Sequence, residues 1–272
     1  MALVPFPGPQ SGAVQRKPEE DDELDGSAGK MSFLEHLDEL RKRILYAIYG
    51  VGVGVLATFW FHQELFDFVL GPTRKMLPKD SHLIYTQPGE AFSLHIQIAL
   101  IAGVIVASPV IMYQVWRFIA PGLYAKEKRL AIPFIGLTTF GILLGAFFNH
   151  VVAFPVMIGF FGTFDSPDLQ FLPALDPVWS MYIKFLLAMC ITFQLPTVVY
   201  FLARMHLVTA GFLAKNFKYA VLIIFVLAAV ITPSGDPGTQ TVFAAPMIGL
   251  YLLSILIAWL VNPKGKKKTD EV

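Results

Sequence analysis

Cysteine is almost missing from this chain: Cys190 is the only one in 272 residues. That excludes an intramolecular disulfide and argues against a thiolate metal cluster, so Cys190 reads as a small buried apolar residue inside an apolar run. Charge is scarce too, with Asp, Glu, Lys and Arg at 15%, where soluble domains carry roughly 25%. Recognisable chemistry is also lacking. There is no G-x-x-x-x-G-K-[ST], and "GSAGKM" (26–31) has neither the spacing nor the hydroxyl for a phosphate loop, so nucleotide hydrolysis is not expected. Neither H-E-x-x-H nor G-x-S-x-G occurs, which removes the commonest metal and serine chemistries. The first 30 residues lack the basic start and apolar stretch of a signal peptide. Pro5, Pro7 and Pro9, followed by "EEDDELD" (19–25), make residues 1–30 an expected disordered tail, unable to bury enough apolar surface to offset chain entropy.

What the chain has in excess is apolar surface: 55% of the residues, with 24 Phe. The formal net charge of +1 says little about partners, because here the distribution of charge matters more than its sum. Nearly charge-free apolar runs recur at Ile44–Phe61, Ala91–Trp116, Leu130–Phe164, Phe185–Ala203, Tyr219–Thr232 and Thr241–Val261. A helix needs about 20 such residues to cross a bilayer, and backbone groups in lipid must bond within their own segment. The expected fold is therefore an all-α polytopic membrane protein of six transmembrane helices over residues 31–262, with a basic tail at 263–272. The third run exceeds the membrane thickness and must tilt, kink or emerge, with Pro155 favouring a kink. The fifth is short, which implies local thinning of the bilayer or access of water.

Lys and Arg set the orientation. Arg16, Lys17, Lys30, Arg41, Lys42 and Arg43 precede the first run. Arg117, Lys126, Lys128 and Arg129 lie between the second and third, and Arg204, Lys215 and Lys218 between the fourth and fifth. Lys264, Lys266, Lys267 and Lys268 follow the last, while only Arg74, Lys75, Lys79 and Lys184 fall on the opposite side. The positive-inside rule then places both termini in the cytoplasm, and Trp60, Trp116, Trp179 and Trp259 sit at run ends, as interfacial rings prefer. On the outer side, residues 64–77 form an expected surface helix with Leu65, Phe66, Val69 and Leu70 grouped on one side, and residues 165–177 an irregular loop. Pro109, Pro133, Pro155, Pro196 and Pro246 point to a bent, rigid bundle. Gly50 with Gly54, and Gly141 with Gly145, are spaced for close helix packing. His95 and His150, at or inside the runs, read as hydrogen-bonded structural residues rather than a proton relay.

Four polar features remain. In "FLEHLDELRKRILYAIYG" (33–50), Ser32 and Glu35 make a capping box that starts a helix near residue 33. Leu34, Leu37, Leu40 and Ile44 share one face, while Glu39–Arg43 and Asp38–Lys42 are spaced at i, i+4. Such pairs support an exposed helix by about 0.2–0.5 kcal/mol each. The second feature, "QVWRFIAPGLYAKEKRL" (114–130), holds Glu127 as the one acid among four bases. Local charge balance accounts for it. So does a second cytoplasmic carboxylate that, with Glu39, takes guanidinium groups in bidentate fashion. The third, Gln194 beside Pro196, is either an interhelical hydrogen bond or a functional intramembrane group. The fourth is the tight turn "ITPSGDPGTQ" (231–240) with Asp236, for which turn chemistry is sufficient.

"HLDELRKRI", "ASPVIMYQVWRFIAPGLYAKEKRL" and "ITPSGDP", in that order, resemble the TatC family, the core receptor subunit of the twin-arginine protein translocase. The resemblance covers about residues 31–262 in sequence order, and it has the same six-span, termini-inside layout. It implies a scaffold rather than an enzyme, in the bacterial cytoplasmic membrane, without cofactor or metal and driven by the proton-motive force. The implied partners are twin-arginine signal peptides of folded cargo, single-span TatA- and TatB-type subunits docking at the fifth and sixth spans, further copies of the chain, and the bilayer, with no nucleic acid. By position, Glu39 and Glu127 would receive the arginines, with Arg41, Arg43, Gln114, Phe118, Pro109 and Tyr124 shaping the surface around them. Asp236 matches an acid needed for transport but not for recognition. Gln194 stands where family members often carry Glu; it does not ionise, which removes a proton relay and leaves a polar contact to a partner helix or signal peptide. The alternative, a small-solute secondary transporter, predicts internal repeats and charged mid-membrane sites, and neither is found in the sequence. An intramembrane hydrolase lacks a nucleophile–base pair.

Overall fold

A computed structural model describes residues 33–77, 82–120, 130–164, 166, 171–232 and 237–261. The expected tails, residues 1–30 and 263–272, lie outside the described residues. The chain divides into two compact units, residues 1–42 and 43–272, and the boundary falls within the first helix, α1 (Phe33–Phe59). The helix begins at the residue that the capping box predicts, although Ser32 itself lies outside the described residues.

In the second unit, small residues decide how closely α1 approaches its neighbour α3 (Glu90–Val106). A Cβ on Gly54 would stand 2.6 Å from the Gly103 carbonyl oxygen, and one on Gly103 2.6 Å from the Val55 Cα. Only glycine permits this crossing. Thr58 then donates its hydroxyl to the Ala99 carbonyl at 2.7 Å, closing the same contact. The helix expected over residues 64–77 is α2 (His62–Met76), which buries Val69, Leu70 and Thr73.

The second apolar run is broken. α3 ends at Val106, and α4 (Ser108–Ile119) leaves it at 52°. Pro109 gives the reason: it has no N–H to offer the preceding turn, and its ring crowds the carbonyl four residues back. α5 (Ala131–Phe148), a π turn (Asn149–Ala153) and α6 (Phe154–Gly162) run on as one apolar stretch of 32 residues. At about 1.5 Å per residue that is far more than a bilayer core of about 30 Å. The π turn stands immediately before Pro155 and lets the stretch pass the proline.

α7 (Leu175–Thr192) and α8 (Leu195–Arg204) follow, with Pro196 in the first turn of α8. α8 stops at His206, whose φ of 59° is a left-handed helix terminator. A short α9 (Ala210–Lys215), capped by the Thr209 hydroxyl, leads to α10 (Phe217–Ile231) and α11 (Pro237–Val261). The core centres on α7, around fully buried Phe185 and Met189, with Phe154 of α6 4.9 Å from the Tyr182 ring and Phe243 of α11 4.4 Å from the Phe185 ring.

Four of these stretches are long and apolar enough to cross a membrane, or five when the bent α3–α4 pair counts as one. Their apolar side chains face outward: Ile132 is 83% exposed, Leu56 76% and Ile191 72%. Soluble monomers do not expose apolar surface on this scale, so the chain is an all-α polytopic membrane protein.

Three expectations need correction. α7 starts at Leu175, ten residues ahead of the apolar run that marked it, because Asp176 and Pro177 suit a helix start whatever their polarity. Lys184 therefore sits exposed on α7 and not in a loop, its long stem able to carry the ammonium towards water. Trp116 and Trp179 are buried in the packing, leaving Trp60 and Trp259 as the exposed rings. Cys190 is only half-buried, with its thiol 3.5 Å from the Ile142 carbonyl.

Candidate functional site

The bend at Pro109 determines what α4 presents. Trp116 faces inward, its ring 5.0 Å from Phe134 of α5 and 6.4 Å from Phe201 of α8. This aromatic anchor fixes the roll of α4. Gln114 and Phe118 are then half-buried, while Pro109, Tyr113 and Arg117 are exposed. The Arg117 guanidinium donates to the Tyr113 hydroxyl at 3.4 Å and lies 5.8 Å from that ring centroid, so residues one turn apart hold each other in place. Arg43 of α1 donates from Nη1 to Gln114 Oε1 at 3.4 Å, bringing together two of the expected site residues from segments 71 positions apart.

Glu39 is half-buried and Arg41 exposed; both belong to the leading turns of α1 in the first unit. Glu127, Tyr124 and Asp236 lie outside the described residues.

Gln194 sits at the break between α7 and α8. Its Nε2 donates to the Thr138 carbonyl of α5 at 3.0 Å. Gly141 makes room for this, since a Cβ there would meet Gln194 Nε2 and the Phe193 carbonyl oxygen, each at 3.0 Å. The interhelical hydrogen bond is thus real, yet Gln194 Oε1 is buried with no hydrogen-bond partner among the described residues. Beside it an apolar cavity of about 420 Å³ opens between α5, α8 and α11, lined by Gly141, Phe193, Pro196, Thr197, Tyr200 and Leu250 among others.

Sequence reading missed Glu90. Its carboxylate accepts the backbone N–H of Thr86 at 2.9 Å, of Gln87 at 3.3 Å and of Asp176 at 2.7 Å. It clips the segment before α3 to the first turn of α7, where the Leu175 N–H also donates to the Ile84 carbonyl at 2.8 Å. The available signal was a lone acid directly ahead of an apolar run, where a helix N-terminus favours negative charge.

Comparison with known proteins agrees with this architecture. Residues 35–246 match the family profile "Sec-independent protein translocase protein (TatC)". A Koribacter versatilis protein of that name is 41% identical over 246 residues, covering 89% of this chain and 90% of the relative. One from Desulforapulum autotrophicum is 40% identical over 242 residues, covering 89% and 88%. Among solved structures, a crystal structure of the twin-arginine translocase receptor TatC superposes with a TM-score of 0.68 at 35% identity, covering 83% of this chain and 99% of that one. A second, of the receptor in DDM, gives a TM-score of 0.70 at 34% identity, covering 82% and 99%.

Proposed function

This chain belongs to the TatC family, as a membrane receptor and scaffold of the twin-arginine translocase rather than an enzyme, and we propose that it recognises paired arginines with carboxylates held at the cytoplasmic membrane surface. Glu39 and Glu127 each accept one guanidinium of a signal peptide in bidentate geometry, which lysine does not reproduce. Arg41, Arg43, Gln114, Phe118, Pro109 and Tyr124 shape the surface around them. The observation that supports this reading is the 3.4 Å contact of Arg43 with Gln114, which brings together two of the expected site residues, one from α1 and one from α4. The 52° bend at Pro109 supports it by setting the course of α4.

In the complete reading the bundle has six spans. The bent α3–α4 pair acts as one span, and α10 as a short fifth despite its 15 residues. Both termini are cytoplasmic, in the inner membrane, a reading that the Lys and Arg distribution supports. Single-span TatA- and TatB-type subunits and further copies of the chain assemble around α10 and α11, and the proton-motive force drives transport. Gln194 offers its spare Oε1 to a helix or peptide entering the adjacent cavity, and Asp236 serves transport without serving recognition.

The test is a titration of the purified protein with a labelled twin-arginine signal peptide. A charge-assisted pair is worth about 1.5–3 kcal/mol, so Glu127→Ala weakens binding by roughly ten- to a hundredfold, and the double change with Glu39→Ala weakens it further. Membrane insertion stays intact. Binding unaltered in the double variant would contradict the assignment.

A further inference from the structure

Two cavities of the second unit meet at a shared wall, and no part of the recognition surface uses them. One, of about 570 Å³, lies between α2 and the π turn and is bordered by Asp67, Pro72, Lys75, Met76, Val151 and Pro155. The other, of about 320 Å³, lies deeper among α2, α3, α5 and α7, with Ile98, Ile101, Ala102, Phe147 and Leu186 on its sides. Phe68 and His150 line both. Their rings stack at 3.9 Å and 14°, and His150 Nδ1 stands 3.4 Å from the Tyr182 hydroxyl, so this wall is built rather than incidental.

The two cavities differ in chemistry. The deeper one is apolar almost throughout. The outer one carries a carboxylate and an ammonium at its mouth, where Asp67, Phe68, Lys75 and Met76 are all exposed. The carboxylate is already engaged, because Arg74 Nη1 lies 2.8 Å from Asp67 Oδ1. Lys75 then sets the sign of the mouth, with His150 at its floor as a further hydrogen-bonding group. An occupant that satisfies both spaces has an apolar chain, a single anionic head and no cation of its own. A headgroup ammonium would meet Lys75 and find Asp67 taken.

We propose that these adjoining cavities are a binding site for one anionic glycerophospholipid, its phosphodiester on Lys75 and His150 and an acyl chain passing the Phe68–His150 wall into the space between α3, α5 and α7. α2 lies along the membrane surface, the level at which a headgroup sits. A basic side chain near that surface attracts an anionic lipid with about 1 kcal/mol. The lipid wedges α2 against the long α5–α6 stretch.

Native mass spectrometry of the full chain in detergent, titrated with phosphatidylglycerol or phosphatidylcholine, tests this. The account predicts that one phosphatidylglycerol is retained at least fivefold more tightly than phosphatidylcholine. Lys75→Glu, on an exposed side chain outside the core, abolishes that preference. Ala102→Phe fills the deeper cavity and lowers retention of both lipids. Lys184→Ala, which removes a cation that lines neither cavity, leaves the preference in place. Equal retention of the two lipids, or a preference that survives Lys75→Glu, overturns the proposal: the cavities would then take any apolar chain or a partner helix.

Discussion

Gln194 shows how much a single residue reveals and how much it withholds. A polar side chain inside an apolar run has to find a partner, and the sequence admits either a neighbouring helix or a functional contact. The structure shows the first: Nε2 is spent on the Thr138 carbonyl, while Oε1 is buried without a partner among the described residues. Neither Thr138 nor Gly141 is legible as its counterpart, because the pairing depends on how α5 and α8 rotate against each other. The two roles separate by substitution. Gln194→Leu removes one interhelical hydrogen bond and also an unsatisfied acceptor, so thermal unfolding in detergent shifts by less than about 1 kcal/mol. Transport of a twin-arginine reporter falls severalfold in the same variant if the spare acceptor serves a partner. Full transport with an equally small stability change would leave Gln194 a packing residue only. Glu39 is the opposite case: its residue type and spacing are plain in the sequence, as is Glu127 as the one acid among four bases, while the proposed pairing of the two rests on the resemblance.

At the scale of elements, apolar runs located every long helix, since lipid demands continuous apolar surface and internal backbone pairing. They misplaced boundaries where polarity and helicity part company. α7 runs through Asp176, Ser180 and Lys184 before its apolar stretch begins, because its first turns pack on Gln97 and the clip of Glu90: Trp179 Nε1 donates to Gln97 Oε1 at 2.6 Å. The Pro109 break was visible as a proline, but its 52° angle was not. Glycines were legible singly and not as pairs: Gly50 and Gly54 stand out by spacing, whereas Gly103, which receives α1, has no such mark. Gly103→Ala forces a Cβ into the backbone at Val55 and destabilises by about 1–3 kcal/mol or more. Gly52→Ala, with nothing within 4 Å of the new Cβ, is neutral to slightly stabilising. Detergent unfolding of both variants checks the pair, and equal effects would contradict the close crossing.

Across the whole molecule, helix lengths are mismatched. α10 has 15 residues, about 22 Å at 1.5 Å per residue, against a hydrocarbon core of about 30 Å. The α5–α6 stretch is more than twice that length. If α10 is the proposed short fifth span, such a bundle would meet the bilayer at unequal thickness, with the mismatch relieved by thinning beside α10 and tilt at α5–α6. Thinning there lowers the barrier to a transient opening, which suits a scaffold for folded cargo. Spin-labelled lipids around the reconstituted protein should report a thinner, wetter bilayer beside α10 and α11 than elsewhere on the bundle. A uniform profile would remove this rationale for the short helix.

The central claim is that the chain selects paired guanidinium groups and not merely positive charge. It is tested most directly by comparing signal peptides that differ only in Arg-Arg or Lys-Lys, titrated against the purified protein at one ionic strength. Bidentate pairing with two carboxylates predicts binding of Arg-Arg tighter by about tenfold or more. Equal affinity for the two peptides would contradict the receptor assignment made here for Glu39 and Glu127.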